Sequence, residues 1–270
     1  MQVYQRGQNQ AVQYTAAQEA PAVSVRSISK IYGPAGSGVL AVENLSLEVA
    51  RGEFVCLVGA SGCGKSTLLK LIAGLGSPGV GEIAVNGRTS LLFQEAALFP
   101  WLTARKNIEL ALKLQKVPAE DRRSKAAELL DLVHLTAFAD KRPHELSGGM
   151  RQRVALARAL AQQAQVILMD EPFASLDAIT RDVLYEELEQ IWEQTDLSAL
   201  LVTHNVAEAV RLADRVLLLS SRPGRVAAEF PIDTPRPRRP DDPGVAHLAG
   251  EITERLKKEV RRHAKDPIAG

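Results

Sequence analysis

The most informative segment of this 270-residue chain is Gly59-Ala60-Ser61-Gly62-Cys63-Gly64-Lys65-Ser66. It fits the pattern G-x-x-x-x-G-K-[ST], in which glycines allow the backbone to wrap around a phosphate with consecutive N–H groups pointing inward. In such a loop Lys65 reaches the β- and γ-phosphates of a nucleotide, and Ser66, with Thr67 close by, offers a hydroxyl to Mg²⁺. We call residues 59–66 the P-loop and predict that it binds the phosphates of a nucleotide.

The sequence on either side of the P-loop supplies the strand and the helix that such a loop requires. Residues 54–58 form a short apolar run, as in a buried strand, and residues 65–73 have helical spacing, so the positive end of that helix faces the same anion. This context argues against an ordinary glycine-rich turn. Cys63 is either a redox sensor or a small loop filler. Together with Cys56 it forms neither a disulfide framework nor a zinc set, which favours a reducing compartment.

An acidic pair follows a second apolar run, residues 166–169. A carboxylate at the carboxyl end of a buried strand lies at the sheet edge where P-loop proteins hold Mg²⁺, so Asp170 is the candidate metal ligand. Glu171, one residue further on, is the candidate general base for a water beside the γ-phosphate. Because Pro172 follows directly, a solvated acidic turn stays open for either carboxylate taken alone.

The composition fits a large α/β domain and gives no support for a nucleic-acid partner. Formal net charge is +1 and 46% of the residues are hydrophobic, so a sizeable core is available. No apolar run has the length of a membrane-spanning helix, and the first residues lack the apolar segment of a secretory signal. If the protein serves a membrane, we expect another chain to cross it. Residues 1–20, rich in Gln and Ala, are predicted to form a disordered arm.

The rest of the chain shows a mixture of strand and helix patterns. Helical spacing covers residues 104–135, with a break at Pro118, and a glycine pair starts another helix within residues 145–160. The patterns further predict strands from residue 23 and at 39–49 and 199–202, helices at 179–193 and 206–212, a hairpin of residues 216–219 and 226–230 joined at Pro223-Gly224, and a final helix over residues 245–263.

The run Leu146-Ser147-Gly148-Gly149-Met150-Arg151-Gln152 indicates the family. It resembles the signature motif of ABC-type ATPases. The order of motifs also matches, since the chain carries Tyr32, the P-loop, Gln94, the signature, Asp170-Glu171, Ser175-Leu176-Asp177 and His204. The likeness covers roughly residues 23–230. It implies an α/β P-loop NTPase of the ABC ATPase type, with a mixed β-sheet core, an antiparallel β subdomain and a helical signature lobe, and with ATP and Mg²⁺ as cofactors.

In this family two ATPase domains dimerise head to tail, and each ATP is held between one P-loop and the partner's signature. The resemblance therefore implies that Ser147, Gly148 and Gly149 contact the γ-phosphate of the partner's ATP from a helix N-terminus. The other roles that it implies are adenine stacking by Tyr32, sensing of Mg²⁺ and water by Gln94, a dimer-seam contact by Asp177 and a hydrogen bond from His204 to the γ-phosphate.

Each of these last four residues has a structural alternative when it is taken alone. Tyr32 ends a strand pattern, Gln94 is a surface amide, Asp177 caps the next helix and His204 is a satisfied polar residue after a strand. Their order around two specific motifs favours the family roles. Met150 stands where the commonest signature has glutamine, which leaves the Ser-Gly-Gly contacts intact.

The segment Phe93-Gln94-Glu95, followed by Leu98-Phe99-Pro100-Trp101, is similar to ATPases of importers for nitrate, sulfonates, taurine and related small solutes. In that group these aromatic and aliphatic side chains lie near the groove that receives a membrane subunit. For each single residue the alternative is the buried core of the helical lobe.

The domain plan predicted from the sequence is an ABC ATPase domain at 21–230, with a helical lobe at about 95–160, and a Pro-rich linker with a C-terminal helix at 231–270. Within that linker, Arg236, Arg238 and Arg239 are predicted to be solvated rather than bound to lipid head groups, because prolines and two aspartates dilute their charge.

The predicted function is ATP hydrolysis at the cytoplasmic face of a membrane. A homodimer or a pair of paralogous ATPases would drive separate integral permease subunits and, indirectly, an extracytoplasmic solute-binding protein. The main alternative is a soluble ABC ATPase that acts on DNA or ribosomes, but the sequence shows no tandem ATPase domain, coiled-coil insertion or basic surface. An export ATPase and a regulatory module without turnover are further alternatives. Intact Lys65, Glu171 and His204 argue against the regulatory module.

Overall fold

A computed structural model describes residues 20–34, 37–174 and 176–265, with side chains to residue 262. The predicted N-terminal arm therefore lies outside the described residues except for residue 20, and so do Ser175 and residues 35 and 36. All other motifs of the sequence fall within the described parts of the chain.

A six-stranded sheet forms the centre of the fold, in the order β5-β6-β7-β3-β8-β9. Neighbouring strands are parallel except for β8 and β9, which form the predicted antiparallel hairpin. The strands are β3 (Phe54–Val58), β5 (Thr89–Leu92), β6 (Val166–Asp170), β7 (Ser198–Thr203), β8 (Arg215–Leu219) and β9 (Val226–Pro231). All five residues of β3 and all six of β7 are buried, which explains why the parallel strands are continuous apolar runs in the sequence.

A second, antiparallel sheet has the order β2-β1-β4. Its strands are β1 (Val23–Tyr32), β2 (Val39–Val49) and β4 (Val80–Val85). Strands β1 and β2 were predicted from the sequence, whereas β4 and β5 were not. In β4 no residue is fully buried, so the strand lacks the contrast between buried and exposed positions that a pattern search detects.

Seven α-helices lie within the described residues: α1 (Lys65–Ile72), α2 (Ala104–Leu114), α3 (Ala119–Leu132), α4 (Gly148–Leu160), α5 (Ala178–Glu193), α6 (Val206–Leu212) and α7 (Pro243–Lys265). The break predicted at Pro118 is present, because Pro118 directly precedes α3. Helices α2, α3 and α4 pack against one another as the predicted helical lobe.

The central sheet carries a hydrophobic core on each face. Side chains of β3 alternate between the two cores: Cys56 and Val58 pack with the helical lobe, whereas Val55 and Leu57 pack with α1 and the antiparallel sheet. Because both faces of the sheet are covered, the chemistry of the molecule is confined to the ends of the strands and the loops that follow them.

The prediction of a solvated linker is wrong for two of its three arginines. Arg238 is only 3% exposed, and its guanidinium donates to the carbonyls of Val210, Arg211 and Ala213, which end α6. Arg236 pairs with Asp214 at 2.6 Å and stacks over Trp192 at 4.2 Å from the ring centre. The orphan carbonyls at a helix C-terminus and an aromatic face bind these guanidinium groups, so the linker packs on the domain.

Candidate active site

Strand order brings three sequence motifs to one edge of the central sheet. The P-loop follows β3, Asp170 ends β6 and His204 follows β7, and in the sheet β7 lies between β6 and β3. Because parallel strands present their carboxyl ends at the same edge, residues more than a hundred positions apart in the chain become neighbours there.

The P-loop is held by glycines in backbone conformations that other residues rarely adopt. Gly64 has a φ of 98°, and a Cβ atom on it would lie 2.6 Å from the carbonyl oxygen of Ala41. A side chain at position 64 is therefore excluded for two reasons: the positive φ would be strained, and the Cβ would collide with the backbone of Ala41. Gly64 also occupies the N-cap of α1, so the loop passes directly into the amino end of the helix.

Lys65 is buried, and its ammonium group is held inside the loop. Its Nζ donates to the carbonyl oxygens of Gly59 at 2.7 Å and Ala60 at 2.9 Å. A buried ammonium group without an ion partner is costly, and the enclosed positive charge favours an anion in the same loop.

The hydroxyl group of Ser66 and the carboxylate of Asp170 are in contact. Ser66 Oγ donates to Asp170 Oδ1 at 2.8 Å, across 104 residues of sequence. Hydroxyl and carboxylate oxygens are the ligands that Mg²⁺ prefers, and one or two protein ligands plus phosphate oxygens are its usual complement. The side chains at this point therefore fit Mg²⁺.

Glu171 and His204 share a hydrogen bond of 2.8 Å between Oε2 and Nδ1. Glu171 has a φ of 45°, the left-handed region, and its N–H donates to the carbonyl of Val202 at 2.9 Å. This conformation turns the chain sharply after β6, so that Glu171 faces the residue after β7 while Asp170 faces Ser66. We call Lys65, Ser66, Asp170, Glu171 and His204 the strand-end cluster.

The signature residues lie at the exposed amino end of α4. Ser147 is the N-cap, and its Oγ accepts from the N–H of Met150 at 3.2 Å. Ser147 and Gly148 are exposed, whereas Gly149 packs on α5 so closely that a Cβ atom would lie 2.3 Å from Cγ2 of Thr180. We call residues 147–149 the signature tip.

Tyr32, Gln94 and Asp177 lie outside the hydrogen bonds of the strand-end cluster. Tyr32 is 47% exposed, with the ammonium of Lys30 at 5.4 Å from its ring centre. Gln94 has an exposed side chain. Asp177 is the N-cap of α5, accepting from Thr180, and this hydrogen bond holds the pKa of Asp177 below its ordinary value. Asp177 therefore caps a helix, which is the structural alternative that the sequence left open for it.

Three buried polar residues connect the segments of the site, and the sequence motifs predicted no role for them. Gln152 is 3% exposed, and its Nε2 donates to the carbonyls of Phe93, Gln94 and Pro172. Thr203 and Glu208 are also buried and hydrogen-bonded to each other beside His204. Gln152 was visible as part of the signature run. Nothing in the sequence distinguishes Glu208 from an exposed helical glutamate, because its burial depends on packing against other elements.

Two alternatives from the sequence are resolved by burial. Cys63 is 1% exposed, and burial raises the pKa of its thiol, which opposes the thiolate that a redox sensor needs. The packing role is the one that fits. Phe99 and Trp101 are not core residues of the helical lobe: they are 39% and 68% exposed, with ring centres 5.5 Å apart.

Comparison with known proteins identifies the family. Residues 42–174 match the family model described as "ABC transporter". The nitrate import ATP-binding protein NrtD of Synechocystis sp. is 45% identical over 221 residues, which cover 79% of this chain and 83% of that protein. The bicarbonate transport ATP-binding protein CmpC of Synechococcus elongatus is 44% identical over 255 residues, which cover 88% of this chain but 38% of that longer protein.

Among solved structures, a dimeric ATP-binding cassette in a post-hydrolysis state bound to ADP and Pi superposes with a TM-score of 0.71. It is 32% identical and covers 78% of this chain and 99% of the cassette. The chain belongs to the ATP-binding subunits of ABC transporters. The predicted fold class and the predicted likeness to the nitrate-type importer group are thereby confirmed, as is ATP hydrolysis coupled to transport. No helix within the described residues is long and apolar enough to span a membrane.

Proposed function

We propose that this chain is the ATP-hydrolysing subunit of an importer for a small solute of the nitrate, sulfonate or taurine kind. The supporting observation is a contrast between two regions of the chain, the strand-end cluster and the signature tip. In the strand-end cluster Ser66 bonds Asp170 and Glu171 bonds His204, while the signature tip faces outward with Ser147 and Gly148 exposed. The solute class is supported by the names of NrtD, a nitrate import protein, and CmpC, a bicarbonate transport protein, which both point to small oxyanions.

On the P-loop side, the chain holds the triphosphate. The P-loop N–H groups and the amino end of α1 surround the phosphates, with Tyr32 against the adenine, and Lys65 turns from the carbonyls of Gly59 and Ala60 to the β- and γ-phosphates. Ser66, Asp170 and Gln94 are the candidate holders of Mg²⁺. When bound, Mg²⁺ supplies charge neutralisation at the β- and γ-phosphate oxygens.

Glu171 is the proposed general base. As the oxygen of the attacking water bonds to the γ-phosphorus, the bond from that phosphorus to the terminal oxygen of ADP breaks, and Glu171 takes the proton that the water releases. His204, already 2.8 Å from Glu171, orients this carboxylate and hydrogen-bonds the γ-phosphate. The protein therefore contributes position and electrostatics around a largely dissociative transfer.

The dimer completes the site. The signature tip of a second copy, or of a paralogous ATPase, would place the Ser147 hydroxyl and the free N–H groups of a helix N-terminus on the γ-phosphate, and Asp177 lies at the seam. ATP then clamps the two copies together, and hydrolysis removes the γ-phosphate contacts that hold the closed state.

Transport requires a membrane partner. We place the dimer at the cytoplasmic face, docked to integral permease subunits that receive solute from an extracytoplasmic binding protein. The exposed aromatic pair Phe99 and Trp101 supports this docking, because exposed large aromatic side chains are enriched at protein interfaces.

The decisive experiment is the substitution Glu171→Gln. We expect ATP hydrolysis by the purified chain to fall by about 10²- to 10⁴-fold, since the amide accepts no proton, while ATP-dependent dimerisation in size-exclusion chromatography is retained. Hydrolysis at the parental rate would show that Glu171 is not the base. Glu186→Gln, on the exposed face of α5, is the matched control and should leave the rate unchanged.

Co-purification tests the membrane partner. A tagged chain extracted in mild detergent should retain polytopic permease subunits, and the double change Trp101→Ala and Phe99→Ala should release them without loss of ATP hydrolysis. Recovery of DNA or ribosomes in place of a permease would favour the soluble alternative.

A further inference from the structure

The loop that carries His204 is closed by a hydroxyl group on the residue before it. Thr203 Oγ1 accepts a hydrogen bond from the N–H of Asn205 at 3.0 Å. This bond spans His204 and restricts the backbone on which the imidazole is mounted. The same loop is then tied to α6, because Asn205 Oδ1 caps the helix by accepting from Ala207 N at 3.0 Å.

The Thr203 hydroxyl has a second partner, the carboxylate of Glu208. Thr203 Oγ1 donates a hydrogen bond to Glu208 Oε2, which lies in the first turn of α6. A hydroxyl has one proton, so donation to Glu208 leaves its lone pairs for the N–H of Asn205. By accepting the hydroxyl proton, Glu208 orients the Thr203 hydroxyl so that its oxygen accepts from the N–H of Asn205, on the far side of His204.

Burying the carboxyl group of Glu208 in the core costs free energy. It is 5% exposed, and burial raises its pKa to about 7. The ionisable groups that face it are Tyr185 and Arg181 from α5, Cys56 from β3 and His204 itself. A hydrophobic residue would satisfy the packing here at less cost, which points to a use for the carboxylate.

We propose that Glu208 and Thr203 are positioning residues for His204, which hold its imidazole against Glu171 during ATP hydrolysis. This inference rests on the proposed function, in which Glu171 is the base and His204 orients it. Neither residue touches the nucleotide: Thr203 is 2% exposed and Glu208 lies behind it in the core. They act through the backbone of the loop, so their loss displaces the His204 imidazole and leaves the P-loop in place.

Two pairs of variants separate hydrogen bonding from packing. Thr203→Val and Glu208→Leu keep approximate shape but remove the hydroxyl and its acceptor, while Thr203→Ser and Glu208→Gln keep a donor and an acceptor. We expect the first pair to lower kcat about tenfold or more, as displacements near 1 Å do in active sites, with the Kd for ATP within about twofold of the parent. The conservative pair should stay within about threefold of the parent in kcat.

A spectroscopic readout distinguishes positioning from general destabilisation. In the full-length chain with isotope-labelled histidine, the imidazole nitrogen signals of His204 should shift in Thr203→Val and Glu208→Leu, and stay in Thr203→Ser and Glu208→Gln. The matched control is Glu187→Leu, which removes another buried glutamate, 4% exposed and paired with Arg153 at 3.2 Å. It should lower Tm without moving the His204 signals.

Unmoved His204 signals in the folded Thr203→Val variant would overturn the proposal, as would an equal kcat loss in Thr203→Ser. If Glu208→Leu does not fold, Thr203→Val decides alone, because it leaves Glu208 in place. Failure of the proposed function is separate: it would appear as parental hydrolysis by Glu171→Gln, whereas the signals of His204 report on the loop whatever the identity of the base.

Discussion

The strand-end cluster and the signature tip are both proposed to contact phosphate, but they are held in different ways. In the cluster, side chains from three strand ends bond one another: Ser66 meets Asp170 and Glu171 meets His204, each at 2.8 Å. In the tip, Ser147 bonds within its own helix start and is otherwise exposed. One region is complete within the chain, and the other presents free helix N–H groups outward.

The two regions differ in the contacts that fix their positions. The cluster is positioned by the register of a buried parallel sheet, which fixes the relative positions of neighbouring strand ends. The tip is positioned by the packing of Gly149 on Thr180 and by Gln152, which ties α4 to the segments after β5 and β6. We therefore expect the geometry of the cluster to depend on contacts within its own chain. The exposed tip is free to contact a partner molecule.

The largest expected effect tests whether the tip works on a second copy. Lys65→Ala and Ser147→Arg should each lower ATP hydrolysis by roughly 10²-fold or more, because one removes the buried ammonium and the other blocks the tip. Mixed in equal amounts, the two variants should regain up to about a quarter of the parental rate, since half of the dimers are mixed and each mixed dimer has one intact site of two.

The control for this mixing experiment is a pair of P-loop variants, Lys65→Ala and Ser66→Ala. No pairing of these two contains an intact site, so their mixture should stay inactive. Absence of recovery in the Lys65 and Ser147 mixture would place the tip and the P-loop of one chain in the same site, which contradicts a tip that acts on a second copy.

The next effect tests how the cluster is held, through the pH dependence of stability. Burial raises the pKa of Glu208 from 4.5 to about 7, so between these values the folded chain binds more protons at this site than the unfolded chain does. Stability therefore falls as pH rises through this window, by about 3 kcal/mol in total from this group. Tyr185 and Arg181 on α5, Cys56 on β3 and His204 are the other ionisable groups that face it.

Urea unfolding of the parent and of Glu208→Gln from pH 4.5 to 8 measures this effect. The difference in the free energy of unfolding between the two chains should change across the window, in the direction of a parent that weakens as pH rises, while other titrating groups cancel. Parallel curves would show that Glu208 is not a buried, proton-binding group in the folded chain.

The smallest expected effect tests the packing beneath the signature tip. Gly149→Ala should lower the free energy of unfolding by about 1–3 kcal/mol, because the new Cβ would lie 2.3 Å from Thr180 Cγ2. Adding Thr180→Ser removes that methyl group but keeps the hydroxyl that bonds Asp177 at 2.7 Å, and should restore most of the loss. Urea denaturation measures both.

Gly148→Ala is the matched control for this packing test, since the nearest atom to its Cβ is Leu176 Cδ2 at 3.9 Å, an ordinary contact. Its stability should stay within about 0.5 kcal/mol of the parent. Equal destabilisation by Gly148→Ala and Gly149→Ala would mean that the tip, like an exposed loop, is not held by α5.

Much of the fold was predictable because buried parallel strands and glycine loops leave strong local patterns. Residues 54–58 and 206–212 were predicted with the bounds that the structure gives to β3 and α6. Strand β4 was missed because its residues are only partly buried or exposed. The linker was misjudged because prolines and arginines indicate a solvated segment by composition, whereas Arg238 finds the carbonyl groups at the end of α6.

The P-loop, the acidic pair, the signature and their order could be predicted from residue types alone, because each depends on a fixed local spacing. Which of these motifs touch one another, and which buried groups support them, follows from the packing of the folded chain. Sheet order brings Asp170 to Ser66 and Glu171 to His204, and helix packing buries Glu208 against Thr203. Contacts between distant segments depend on the burial of whole elements, and no local spacing encodes them.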